Sequence, residues 1–181
     1  MKNKMVEVEK RAALIMKYRD LDVKKKVEGE EGDTITYYLE RGGKKYILQC
    51  ITNQRNVGIA FVRALNKLLE EEEAEKGIIV TDVKFTYSSR HNAPRLRVEL
   101  IPHTLPTFDL FKHELVPQAE ILSQEERADV LKKFHAEPYQ FPWIMSHDPV
   151  AIILGAKEGD VIKFTSESET AGTSISYRYV A

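Results

Sequence analysis

A chain of 181 residues, 43% apolar and 30% charged, with a formal net charge of -1, is long and apolar enough for one typical domain or two small ones, which excludes a disordered polymer and a strongly basic nucleic-acid arm. Its one cysteine, Cys50, excludes an internal disulfide framework or a multi-cysteine zinc site and fits a reducing, cytoplasmic compartment. No run approaches the ~18 consecutive apolar residues of a spanning helix, and the lysine-bearing start MKNKMVEVEK lacks the apolar stretch of a signal peptide, so neither membrane insertion nor export is expected.

Residues 4–19 place Val6, Ala13, Leu14, Met16 and Tyr18 among charges at roughly helical spacing, which predicts an amphipathic opening helix. The charged run from Lys24 through Glu31 reads as a break. Thr34 to Leu39 and Lys45 to Thr52 are rich in Ile, Tyr and Thr, and Gly42-Gly43 between them supplies positive φ, so the pair predicts a β-hairpin. From Val57 to Glu75, Val57, Phe61, Leu65, Leu68 and Leu69 recur three to four apart, predicting a long helix that Gly77 ends. Ile78, Ile79 and Val80 then form a buried strand, and residues 96–101 alternate as another. Together these predict a small α/β unit with a right-handed crossover.

Pro102 and Pro106 bracket the end of this first unit, placing the boundary so that 1–108 is one domain and 109–181 a second. Charge differs across this region: residues 1–111 hold 20 Lys and Arg against 17 Asp and Glu, and 112–181 hold 7 against 11. Ser123 followed by Glu125 and Glu126 predicts a capped helix to about His135, with Ala128, Val130, Leu131 and Phe134 as its apolar face. Asp148 or Ser146 caps a further short helix with Pro149 in its first turn, and strands follow at 161–165 and 175–180. The second unit is therefore a small α+β domain.

Five segments in order carry a specific likeness: HELVP at His113 to Pro117, Ile121-Leu122 before the helix start, and DPV at Asp148 to Val150. They continue with GAKEGDVIK at Gly155 to Lys163 and ETAGTSISYRYV at Glu169 to Val180. Over these residues the chain resembles the H subunit of archaeal DNA-directed RNA polymerase, the equivalent of the fifth subunit of the eukaryotic nuclear polymerases. The resemblance implies an assembly domain that docks on the largest polymerase subunit. It departs from the family at Gln118 and Ala119, where Lys and His are usual, at Ser166, commonly Arg, and at Phe141, usually Leu. Residues 33–105 resemble the restriction-endonuclease-like fold of Mrr-type nucleases, through YILQC at Tyr46 to Cys50, Val57-Gly58, KGIIVTDVKFT at Lys76 to Thr86 and VELIP at Val98 to Pro102. The jaw domain of the eukaryotic fifth subunit is similar to the same fold.

Metal-dependent phosphodiester hydrolysis needs an Asp, then an acid or Gln, one residue and a Lys, because carboxylates hold Mg²⁺ and the ammonium steadies water or developing charge. Asp33 and Gln49 match the first two positions, but Ile51 occupies the third. An aliphatic side chain does neither task, so no catalytic residue, no metal and no cofactor is expected on this chain, and Mg²⁺ belongs to the parent polymerase. His91, His103, His113, His135 and His147 show no metal-binding spacing. Cys50 in an apolar strand reads as core.

Lys84, Arg90, Arg95 and Arg97, with His91 and Tyr87 among them, form the densest basic cluster and are the candidates for sequence-independent contact with phosphates of downstream DNA. An ordinary solvated surface accounts for them equally well. Asp148, Pro149, Thr170, Gly172, Tyr177 and Arg178 are the candidates for docking on the largest subunit, with internal turn geometry as the alternative for Pro149 and Gly172. The reading that unites both halves is a non-catalytic subunit of a DNA-directed RNA polymerase, itself a nucleotidyltransferase, whose partners are the other polymerase subunits and DNA. A free-standing Mrr-like nuclease and a polymerase-associated regulator that mimics the subunit are the alternatives.

Overall fold

The computed structural model describes residues 2–29, 32–168 and 172–181, and the chain separates into two compact units, Met1–Phe108 and Asp109–Ala181. In the first, α1 (Lys2–Tyr18) is followed by β1 (Asp22–Glu28), β2 (Thr34–Arg41), β3 (Lys44–Ile51), α2 (Ile59–Glu71), β4 (Lys76–Thr81), α3 (Tyr87–Asn92) and β5 (Val98–Ile101). The strands form one sheet in the order β1-β2-β3-β4-β5, antiparallel through the first three and parallel through the last three. Gly42 and Gly43, at φ of 56° and 78°, make the tight β2–β3 turn that the sequence predicts.

Side-chain alternation along β3 builds a core on both faces of this sheet. Ile47 and Ile51 join Val62, Leu65 and Leu69 of α2 and Ile79 of β4 in one buried cluster. Leu48 and Cys50 point the other way, on the face where Tyr37, directly opposite Leu48, donates its hydroxyl to Glu9 of α1. Val8, Ala12 and Ile15 of α1 are fully buried. Buried Arg11 fastens this helix by donating to the carbonyls of Leu105 and Thr81. Arg19, at the end of α1, meets Glu99 of β5 at 2.7 Å, and Lys76 of β4 also pairs with that carboxylate.

Two expectations for this unit need correction. Lys24 to Glu28 is not a break but part of β1, an edge strand exposed at every position, so no apolar alternation marks it. Gly77 does not end α2, which stops near Glu71 with positive φ at Glu73. It lies inside β4 beneath the helix, where a Cβ would sit 2.8 Å from Leu65 Cδ2, so its missing side chain is what lets α2 approach the sheet.

The second unit contains β6 (Gln118–Ile121), α4 (Gln124–Phe134), β7 (Trp143–Ile144), α5 (Pro149–Leu154), β8 (Val161–Ser168) and β9 (Gly172–Val180), with its sheet in the order β6-β8-β9-β7. Ile144, Ile162, Phe164 and Val180 pack with Ala151 of α5 in a small buried cluster. Tyr177 points to the other face, where its ring meets those of Phe134 and Phe141 at 5.8 and 6.0 Å. Ser123 caps α4 as expected, and Glu126 completes a reciprocal capping box with it. The expected apolar face of that helix is only loosely covered: Ala128 and Phe134 are exposed and no residue of α4 is buried.

Candidate functional site

The nuclease-like positions bear on whether this fold carries chemistry. Asp33 precedes β2, and its carbonyl accepts from the Thr52 amide at 2.8 Å. Its carboxylate accepts from the Thr34 hydroxyl and the Gln54 amide at 3.3 and 3.4 Å. Gln49 is directly opposite Thr36 and donates to its hydroxyl at 3.4 Å, while Ile51 opposes Thr34. Thus Asp33 and Gln49 each have their own local partners. Ile51 is completely buried beneath α2 among aliphatic side chains. A lysine there would have to bury an ammonium without a counter-charge. Burial pushes the Cys50 thiol up to about 12, which suits a core residue and not a nucleophile. Among the described residues, no group of three His, Cys, Asp or Glu side chains is placed to hold a metal ion.

The basic candidates are organised around α3. Val57, just before α2, bonds through its amide to the Lys84 carbonyl at 3.1 Å and accepts from the Thr86 amide at 3.1 Å. Buried Ser89 reinforces this clamp by donating its hydroxyl to the Val57 carbonyl at 2.9 Å. Thr86 caps α3 through its side chain. Pinned in this way, the turn and helix expose Lys84, Tyr87, Arg90 and His91, and the rings of Tyr87 and His91 stack at 6.0 Å. Arg95 follows, exposed, in a single 3-10 turn, and Arg97 ends that turn in the left-handed region. Among the described residues none of these four cations makes an ion pair. Arg97 differs from the others in its surroundings, because it lines a shallow groove of mixed charge with Lys44, Lys45, Glu70, Glu73 and Glu75.

In the second unit, Asp148 is an N-cap: its carboxylate accepts from the Val150 amide at 2.8 Å, with exposed Pro149 at the first helical position. Gly172 begins β9 at φ 68°. Arg178 is exposed with its guanidinium 5.2 Å from the Phe164 ring centre, and Tyr177 is half-buried in the aromatic cluster. Thr170 lies outside the described residues. The structure therefore gives Asp148, Gly172 and Tyr177 work inside the domain and leaves Pro149 and Arg178 facing solvent.

Side chains that sequence reasoning passed over are the exposed apolar ones. Leu115 is 84% exposed on the HELVP turn, Trp143 is 62% exposed, and Tyr139, Met145 and Ile175 are more than half exposed. Trp143 is held in place by donating its indole N–H to the Tyr139 carbonyl at 2.9 Å. The FPWIM run, with two large apolar residues flanking a buried isoleucine, was the available signal.

Comparison with known proteins fits this division. Residues 108–180 match the family RNA polymerase Rpb5, C-terminal domain, and residues 4–104 match the family Restriction endonuclease. The chain is similar to DNA-directed RNA polymerase subunit Rpo5 of Sulfolobus acidocaldarius, 50% identical over 72 residues that cover 40% of this chain and 86% of that protein. The Rpo5 subunit of Thermococcus onnurineus is 47% identical over 73 residues, covering 40% and 89%. The subunit RPABC1 of DNA-directed RNA polymerases I, II and III from Caenorhabditis elegans is 32% identical over 128 residues, covering 68% of this chain and 61% of that protein.

Proposed function

From the membership of this chain in the RNA polymerase Rpb5 family, to which it belongs through its second unit, we propose that it is a non-catalytic subunit of DNA-directed RNA polymerase that docks by that unit on the largest subunit. The observation that carries this reading is the match over residues 108–180 to a domain of polymerase subunits, on a unit that leaves Leu115, Trp143 and Ile175 exposed. Large apolar side chains left exposed on a small domain favour a protein partner. The first unit serves as a jaw beside downstream DNA, where Lys84, Arg90 and Arg95 meet phosphates and Arg97 lies beside a groove of mixed charge. The chain itself holds no metal, and Mg²⁺ acts in the parent enzyme. Among the described residues no helix is long and apolar enough to cross a membrane, and a cytoplasmic setting follows from the proposed host.

Purification of the tagged chain from its source tests the docking role. The largest polymerase subunit should be recovered with it in stoichiometric amount. Recovery of the chain without polymerase subunits, together with Mg²⁺-dependent cleavage of plasmid, would instead establish a nuclease. For the jaw, joint replacement of Lys84, Arg90 and Arg95 by alanine should flatten the salt dependence of elongation-complex stability, because each lost phosphate contact removes counterion release. An unchanged dependence would assign the cluster to ordinary surface.

A further inference from the structure

Main-chain directions in β9 reveal an edge that the domain does not close. Val180 donates to the Asp160 carbonyl and accepts from Gly159, so even-numbered residues of this strand turn toward β8. Tyr179 donates to Pro142 and Ala181 to Ile144, so odd-numbered residues turn toward β7. The β8–β9 register runs unbroken from Val161 opposite Tyr179 to Ser168 opposite Gly172, which carries the same alternation back to Thr173. β7, however, pairs only with Tyr179 and Val180. It stops there for a chemical reason: the residue before it is Pro142, which has no N–H to offer the strand. The N–H and C=O of Thr173 and Ile175 consequently point at an edge where, among the described residues, no strand pairs with them.

Free edges are normally defended by charge, proline, a bulge or shortness. β1, the exposed edge of the other sheet, has three consecutive lysines, Lys24 to Lys26, and a bulge between Val23 and Lys25. Gly172, Thr173, Ser174, Ile175 and Ser176 carry no charge, no proline and no bulge, and all five are exposed. We infer that the outer edge of β9 at Thr173 and Ile175 receives an extended strand of the largest polymerase subunit, which extends this sheet beyond the point where Pro142 halts β7. Main-chain hydrogen bonds would supply the attachment, and the exposed Ile175 side chain a point of side-chain recognition. This rests on the docking reading above and adds its geometry.

Residue-resolved amide hydrogen exchange on the full chain, free and assembled in the polymerase, tests it. The amides of Thr173 and Ile175 should exchange fast in the free chain and slow by at least about 100-fold on assembly, while Ser174 and Ser176, already turned to β8, change far less. In parallel, Ile175→Pro removes an outward donor and no β8 bond, and Thr173→Lys with Ile175→Lys installs the guard that β1 has. Each should weaken capture of the largest subunit about tenfold or more without lowering the thermal midpoint of the free chain. Stoichiometric assembly in which Thr173 and Ile175 stay fast would overturn this inference alone. Slow exchange in the free chain that depends on its concentration would overturn it in favour of pairing between copies of this chain. Failure to capture polymerase subunits at all would overturn the docking reading and this inference with it.

Discussion

The first unit buries Ile47, Ile51, Leu65, Leu69 and Ile79 beneath one helix and lays a second across the other face of the sheet, whereas the second unit has a helix, α4, with no buried residue and a ring of half-exposed aromatics. Their edges differ in the same sense, since β1 is guarded by lysines and a bulge while β9 is bare at Thr173 and Ile175. On the docking proposed above, one domain is finished by its own chain and the other by a partner. Substitutions in the first should therefore register in the free protein, and those on the exposed surface of the second only after assembly.

The sharpest way to break that contrast is Ile51→Lys, which restores the nuclease-like lysine. Because this position is completely buried beneath α2, the unpaired ammonium should cost about 3–5 kcal/mol in denaturant unfolding. No nuclease activity should appear. Retained stability with Mg²⁺-dependent cleavage would show that the fold still accommodates a catalytic site.

Next in size is the ion cluster of Glu99. Desolvation would raise its pKa, but the charges and hydrogen bonds of Arg19 and then Lys76 outweigh it and hold the carboxyl at about 2. A depressed carboxylate pKa stabilises the fold fully above its unfolded value near 4.3, and the benefit is lost as pH falls from there toward 2. Glu99→Gln should thus be destabilising by roughly 3 kcal/mol at pH 7, with the gap from wild type closing by pH 2. Equal gaps at both pH values would remove the cluster from the account.

Gly77→Ala comes third. Its Cβ would press on Leu65 Cδ2 at 2.8 Å and Leu69 Cδ1 at 3.2 Å, so a loss of about 1–3 kcal/mol is expected from urea midpoints. A neutral result would mean that α2 is free to lift from β4. The smallest effect separates capping from docking in the second unit. Asp148→Ala should cost about 1 kcal/mol by removing the bond to the Val150 amide, and Asp148→Asn should restore most of it. If the asparagine variant is stable yet binds polymerase poorly, the carboxylate also touches the partner.

Where local chemistry decides structure, the sequence was readable: Gly42-Gly43 as a hairpin turn, Ser123 as an N-cap, and a short helix with Pro149 in its first turn, capped by Asp148 of the two candidates, all occur. Ile51 at the position where a nuclease lysine is expected was read directly from the sequence, and in the structure that side chain lies in the buried cluster beneath α2. Features set by topology were hidden. β1 looks like a charged loop because an edge strand exposed at every position has no alternation to detect. Gly77 reads as a helix stop until α2 is seen lying over it. The open edge of β9 depends on which way Tyr179 points relative to Pro142, a parity that composition and spacing do not express. Lys84, Arg90, Arg95 and Arg97 read as one cluster along the chain, yet Arg97 alone of them lines the mixed-charge groove with Lys44, Lys45, Glu70, Glu73 and Glu75.

The most direct test begins from the host: polymerase purified from the source organism through a tag on its largest subunit, with subunit amounts measured by quantitative mass spectrometry. This chain should be present at about one copy per largest subunit, as expected of a closed assembly built with it. Its absence, or a ratio far below one, would contradict its role as a polymerase subunit.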